Sequence, residues 1–254
     1  MEWTEKWQMS FNKEKCKVLH IGKHNQQFEY KMGTHTLKTT TAEKDVGVLV
    51  TNDLKPSQQC ARAAKKANSV LGQMSRAFQY RDKITWVRLY KTFVRCHLEY
   101  ANQSWYPYTQ ADKQTLEAVQ KRAVMMIAGL DGLDYSDRLR ALRLDTLEER
   151  RLRGDAIMTW QLLSGYTDVN PEVFFTHVDT EPSQATRHSS NKLNLNIKKF
   201  RTDLRKNTFS IQAALQWNTL PVSVREAESL NMFKNRYDTY RELLKNEPKT
   251  CSVK

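Results

Sequence analysis

The hydrophobic pattern of this chain starts out strand-like and then becomes helical. Residues 3–9 read as the last turns of an amphipathic helix. Lys15–Gly22, Gln27–Met32 and Asp45–Val50 follow as short apolar or alternating runs broken by Gly, Asn and His, which predicts small antiparallel strands. Asn52 and Asp53 stand where they can cap the next helix, with Pro56 tolerated in its first turn. In that helix Cys60, Ala64, Ala67, Leu71, Met74 and Phe78 recur at steps of four and three, a heptad-like seam for packing on another helix. A further helix over about 83–105 places Val87, Tyr90, Val94, His97, Ala101 and Trp105 on one face.

Beyond Pro107 a third helix is predicted around 110–128, with Leu116, Val119, Ala123 and Ile127 facing the core and Gly129 and Gly132 breaking it. Tyr135–Leu142 and about Thr146–Ser164 read as two more helices. Residues 165–200 carry Pro171, Pro182 and a Ser/Thr/Asn-rich stretch, so loops are expected there, with a short strand near Leu193–Ile197. The chain returns to helix at roughly 208–217, turns at Pro221 and continues as helix over 229–245, with Asn246–Lys254 expected to fray. The fold class expected is α+β and predominantly α-helical. Small N-terminal strands would precede a helical bundle and a mixed C-terminal region, in segments 1–53, 54–106, 107–164 and 165–254.

Composition adds exclusions. No apolar run approaches the ~18–20 residues that a membrane helix needs, and the first residues lack the apolar segment of a signal peptide, so no membrane partner is expected. Cys16, Cys60, Cys96 and Cys251 lie far apart, which fits a reducing compartment, nucleus or cytoplasm. Charge is more informative. The net value is +13, distributed as +9 over residues 1–106, −4 over 107–186 and +8 over 187–254. Two basic blocks flanking an acidic waist favour a polyanion, because counterion release drives phosphate contacts; solubility or an acidic protein partner is the plainer alternative. On the 83–105 helix, Arg88, Lys91 and Arg95 fall within about 60° of one another at ~100° per residue. Such a stripe can track phosphates, although a solvated face would look the same.

Catalytic chemistry is hard to find. Two-metal phosphoryl transfer needs carboxylates close together, and the sequence has no Asp-Asp pair. Asp131 and Asp134 lie in a Gly-rich connection, and Glu148-Glu149 read as a solvated helix start. Cys16, His20 and His24 are spaced unlike any common zinc module. No nucleophile motif, P-loop or GxGxxG fingerprint occurs. His97 reads as a packed histidine and His188 as a surface one. No metal or cofactor is expected in this chain.

Longer strings are more specific. Trp7–Gly22 (WQMSFNKEKCKVLHIG) closely resembles the segment just after the catalytic Asp-Asp motif of reverse transcriptases from non-LTR (LINE-type) retrotransposons, the jockey and chicken-repeat group in particular. Lys44–Val48 (KDVGV) resembles their primer-grip strand. Leu89–Tyr100 (LYKTFVRCHLEY) with Trp105–Pro107 (WYP) resembles their thumb helices. Glu117–Arg122 (EAVQKR), Tyr135–Leu139 (YSDRL), Leu147–Asp155 (LEERRLRGD), Trp217–Pro221 (WNTLP) and Asn231–Lys234 (NMFK) resemble the C-terminal region, in the family's order.

The resemblance implies that Lys15 is the palm lysine assisting pyrophosphate departure. It implies that residues 45–50, including Asp45, Val46, Gly47 and Val48, form the strand that positions the primer end. Residues 54–106 become the thumb, with Arg88, Lys91, Arg95, Lys65 and Lys66 facing the template–primer duplex. The family uses Mg²⁺ on aspartates that belong before the first residue here, so the chain is expected to bind RNA or DNA backbone without catalysis. Two departures stand out: Cys96 replaces a usual Pro, which lets that helix run straighter, and Gln212 replaces a usual Arg. The alternative function is a degenerate or co-opted scaffold that binds protein through the acidic waist and the 60/64/67/71/74/78 seam. Self-association through an exposed palm edge is a further expectation.

Overall fold

The structure is a computed structural model that describes residues 2–178 and 193–246. The expectations for Pro182, His188 and the last eight residues, 247–254, lie outside the described residues.

The first fifty residues hold one short helix, α1 (Glu2–Trp7), and six short strands: β1 (Lys17–Leu19), β2 (Lys31–Met32), β3 (His35–Thr36), β4 (Lys38–Thr40), β5 (Ala42–Asp45) and β6 (Val48–Thr51). They pair as three two-stranded sheets, β1 with β4, β2 with β3 and β5 with β6. Two of the pairs are antiparallel, as expected. β1 and β4 are parallel, with Lys17 opposite Lys38 and Leu19 opposite Thr40, which corrects the all-antiparallel expectation. The chain between them is long enough for the crossover that a parallel pair needs, and it contains the β2–β3 hairpin.

The single strand expected over 45–50 is instead a hairpin. Val46 has φ 41° and Gly47 has φ 89°, so both central residues of the turn lie in the left-handed region. A two-residue turn of this hand matches the twist of the paired strands and joins Asp45 to Val48.

α2 (Ser57–Ala77) buries Cys60, Ala64, Ala67, Leu71 and Met74, the first five positions of the predicted seam, while Phe78 ends the helix and is exposed. Asp53 does not cap it. Its carboxylate accepts from the Thr51 hydroxyl (2.7 Å) and the Lys55 amide (3.1 Å), fixing the preceding loop, and Pro56 takes the N-cap position.

The helix predicted over 83–105 is broken into pieces. α3 (Lys83–Leu89) is capped by Asp82 and passes into a π-helical turn, Tyr90–Val94, closed by the Arg95 amide on the Tyr90 carbonyl. α4 (Arg95–Glu99) and a 3₁₀ turn, Asn102–Ser104, follow, the latter entered through Ala101 at φ 49°. With the wider turn, burial recurs at an even step of four: Trp86, Tyr90, Val94 and Leu98. This replaces the 87/90/94/97/101 face read at a strict helical period, and Cys96 does not give a straighter helix.

Three helices match the prediction closely: α5 (Gln110–Met125), α6 (Tyr135–Leu142) and α7 (Leu147–Leu163). Their starts are set by Thr109, Asp134 and Thr146, each accepting a backbone amide, with Glu149 completing a capping box at α7. The carboxylate of Asp112 accepts from both Thr109 (2.7 Å) and Ser57 (2.9 Å), tying the start of α5 to the start of α2. The remaining helices are α8 (Asp203–Lys206), α9 (Phe209–Thr219), α10 (Val222–Arg225) and α11 (Leu230–Asn246). The strand expected near 193–197 is reduced to one bridge, His177 to Leu195.

Two hydrophobic clusters result. The first joins β6, α2, α3–α4, α5, α6 and the start of α7, so it spans both sides of residue 106. The second joins the end of α7 to α9, α10 and α11 around a stack of Trp160, Trp217, Phe233 and Tyr237. α7 contributes to both, Leu147 to one and Trp160 to the other. Among the described residues no helix is long and apolar enough to cross a membrane.

Candidate nucleic-acid interface

The cations singled out from sequence fall on two different surfaces. Arg88 and Lys91 are exposed on α3 and the π turn. Arg95 is not free: its side chain is only 15% exposed and its Nε lies 3.6 Å from the Glu99 carboxylate. Glu99 also takes a two-pronged contact from Arg150 on α7, one arm at 3.0 Å. Burial holds the Arg95 guanidinium below its usual range, and the hydrogen bond to Glu99 holds that of Arg150 above it. Burial, with Arg95 and Arg150 nearby, also lowers Lys91. Arg95 is therefore engaged within α4, by the Glu99 that Arg150 ties to α7, rather than extending an open stripe.

Lys65 and Lys66 lie exposed on α2. Lys66 is close enough to His97, on α4, to help burial keep that imidazole below its ordinary pKa. His97 is roughly half a turn around from Lys91 and Arg95. The structure thus does not gather the five predicted cations into one row.

α2 instead supplies a row of its own. Its exposed positions include Arg62, Lys66, Ser69, Gln73 and Arg76, recurring at steps of four and three opposite the buried seam, with Lys65 exposed beside Lys66. The helix has four cations and no carboxylate, and from Leu54 to Arg81 the sequence has none either. Among the described residues none of these four cations forms an ion pair, in contrast to Arg95, Arg150 and Arg153. Arg62 and Arg76 were missed in the sequence reading. The signal for them was present, as the same period offset from the apolar seam.

Part of the acidic waist, around the start of α7, is engaged internally. Glu148 pairs with Lys113, and Asp145 and Glu149 hold Lys245 of α11 at 3.2 and 2.9 Å. Arg241 reaches Glu149 at 3.2 Å, and Arg153 meets Asp238 through two contacts of 2.7 Å. Glu149, read as a solvated helix start, is a capping residue and an ion-pair partner at once. Asp145 and Glu149 neutralise Arg241 and Lys245 of α11, Asp238 of α11 neutralises Arg153, and none of these pairs involves a cation of α2.

The β5–β6 hairpin is held by the end of α4. The Tyr100 hydroxyl donates to the Val46 carbonyl at 2.9 Å, and a Cβ on Gly47 would come within 2.9 Å of the same ring. Gln59 of α2 accepts the Leu49 amide at 2.9 Å. Gly47, Val46, Asp45 and Val48 therefore form a positioned tip, with Val46 80% exposed. Lys15 lies apart from it, exposed in a 3₁₀ turn, Lys13–Lys15, capped by Asn12. No group of three His, Cys, Asp or Glu side chains suited to a metal ion occurs among the described residues, the Cys16/His20/His24 string included. Gln212 donates to the Lys206 carbonyl at 2.9 Å, an internal bond.

Comparison of the chain with family models, with characterised proteins and with solved structures finds no match.

Proposed function

We propose that this chain acts as the thumb and C-terminal portion of a non-LTR retrotransposon reverse transcriptase, gripping the backbone of a nucleic-acid duplex without sequence preference. The reading rests first on the ordered series of strings from Trp7–Gly22 to Asn231–Lys234. The single structural observation that carries it is the carboxylate-free cationic face of α2. In the proposed role the β5–β6 hairpin is the primer-grip element and α2 to α4 form the thumb. Polymerisation would belong to the residues bearing the metal-binding aspartates, which these 254 residues do not include.

Six exposed cations, Arg62, Lys65, Lys66, Arg76, Arg88 and Lys91, are available to phosphate. At a slope of about 0.9 per contact, raising salt from 50 to 200 mM should weaken binding by about 10³-fold. Fluorescence anisotropy with a labelled DNA duplex tests this. A flat salt titration removes the proposal, and primer extension by the purified chain with Mg²⁺ overturns its non-catalytic part.

One observation favours a protein-binding scaffold instead. Phe78, Tyr80 and Ile84 are 43%, 81% and 67% exposed around the α2–α3 connection. Of the features first assigned to that role, Cys60 to Met74 of the α2 seam are buried in the protein's own core, and Asp145, Glu148 and Glu149 of the waist are ion-paired. Size-exclusion chromatography with and without duplex separates the two readings.

A further inference from the structure

A cleft of about 730 Å³ opens between the two hydrophobic clusters, away from the exposed row of α2. Its walls come from β6 and the loop after it, from the 103–108 segment, from the 173–174 turn and from the stretch running through α8 into α9. Its volume lies within the range of small-ligand sites, and junctions between packed units are where such sites concentrate.

The lining has a definite chemistry. Trp105, Tyr106 and Tyr108 supply one wall and Phe174 part of the other. Tyr106, Tyr108 and Phe174 are half-buried; the Phe174 ring packs on Phe175 and Phe209, which leaves the two tyrosines as the aromatic groups of the opening. Lys55 and Arg205 are exposed and line the cleft too. Lys55 makes only a loose contact with Asp53, at 3.7 Å, and Arg205 forms no ion pair among the described residues. Among the described residues that line the cleft, none is acidic.

Partly exposed tyrosines, two exposed cations and a lining without carboxylates select a ligand that is flat, apolar on its faces and anionic along one edge. Bases meet the first two requirements and phosphates the third. A duplex does not fit, because its bases are stacked inward and unavailable to protein rings. A single strand offers both groups at once, and stacking on aromatic side chains beside a cationic track is how sequence-tolerant single-strand sites are built. We infer that this cleft is a binding site for a short single-stranded segment of nucleic acid, with a base stacked on Tyr108 or Tyr106 and the adjoining phosphates on Lys55 and Arg205.

The site does not depend on the α2 face, so each can fail alone. In a complex holding both, a duplex would lie along α2 while an unpaired strand enters the cleft.

The test uses the full chain and a 12-nucleotide oligothymidylate carrying 5-iodouracil, crosslinked by light and mapped by mass spectrometry. Crosslinks are expected at Tyr106 or Tyr108. In fluorescence anisotropy, Tyr108→Ala should weaken oligothymidylate binding at least about 5-fold, the lower end of the effect of one stacked base. Duplex binding should stay within 2-fold. Because Tyr108 is half-buried, the exposed pair Lys55→Glu/Arg205→Glu is the second variant. It should lose single-strand affinity at an unchanged melting temperature, whereas Lys23→Glu/Lys121→Glu, at exposed cations outside both the cleft and α2, should not. Crosslinks confined to α2 or α3, or single-strand affinity unaltered in Lys55→Glu/Arg205→Glu, would overturn the assignment whether or not duplex binding is observed.

Discussion

Gln120→Leu is the substitution that most directly probes how the helices are held together. Gln120 is fully buried on α5. Its side-chain oxygen accepts the Tyr90 hydroxyl at 2.8 Å, and its amide nitrogen lies 3.1 Å from each of Glu117, the Tyr135 hydroxyl and the Asp145 carbonyl. Tyr90 opens the π turn and is 1% exposed, and burial pushes its hydroxyl well above the ordinary range, so it stays a donor in need of an acceptor. Leucine keeps the bulk of glutamine but strands that hydroxyl and removes a donor from the Asp145 carbonyl. A buried polar group left unpaired costs about 1–3 kcal/mol, and Glu117 retains its bonds to Tyr135 and the Leu147 amide, so a loss of about 2–4 kcal/mol is expected. Tyr90→Phe alone leaves the Gln120 oxygen unpaired and should cost about 1–2 kcal/mol. In the double variant both partners are gone, so the losses should fall short of additivity by about 1–2 kcal/mol. Urea unfolding followed by far-UV circular dichroism measures all four proteins. A Gln120→Leu effect under about 0.5 kcal/mol, or strict additivity in the double variant, would refute the network as the tie between the π turn, α5 and α6.

Three further outcomes follow from other parts of the fold. Gly47→Ala forces a side chain onto a residue at φ 89° and against the Tyr100 ring, so thermal unfolding should show a loss of about 1–3 kcal/mol; an unchanged melt would mean that α4 does not hold the hairpin tip. Phe233→Ala empties the centre of the Trp160/Trp217/Tyr237 stack, where Phe233 is fully buried, and should cost about 3–5 kcal/mol in chemical denaturation. Asp155 is buried on α7, and burial raises its pKa to about 7, opposed in part by Arg151. Because the folded value is the higher one, the native state holds the proton more tightly. Its contribution to stability is fully present below about pH 4 and is lost as pH rises through about 7. Asp155→Asn should flatten that part of the stability–pH curve and exceed the parent in stability at pH 8; an unaltered slope would assign the titration elsewhere.

How much of this was legible in the sequence depends on how local each cause is. α5, α6 and α7 could be read to within a few residues because their apolar faces keep the helical period and because Thr109, Asp134 and Thr146 with Glu149 are local start signals. The hairpin was hidden because Val46-Gly47 lacks the Asn-Gly or Asp-Gly signature and lies within an apolar run, so the segment reads as one strand. The β1–β4 pairing joins strands separated by another hairpin, which no local pattern encodes. The π turn at Tyr90–Val94 has no compositional mark, and it moved the buried face from Val87 and His97 to Trp86 and Leu98. At the candidate interface, Lys65 and Lys66 were visible as a pair of charges, while Arg62 and Arg76 needed the exposed face of the whole helix. The fate of Arg95 was in part readable, since Glu99 stands four residues on, where a helical ion pair forms. The long-range bond from Arg150 on α7 to that same Glu99 was not.

We propose above that the unneutralised cations of α2 grip a nucleic-acid backbone. The most direct test compares the salt dependence of duplex binding for the parent chain and for Arg62→Gln/Lys65→Gln/Lys66→Gln/Arg76→Gln. Each lost phosphate contact should lower the slope of log affinity against log salt by about 0.9, so the slope should fall by about 3–4 with the melting temperature preserved. An identical slope in the two proteins would contradict the account.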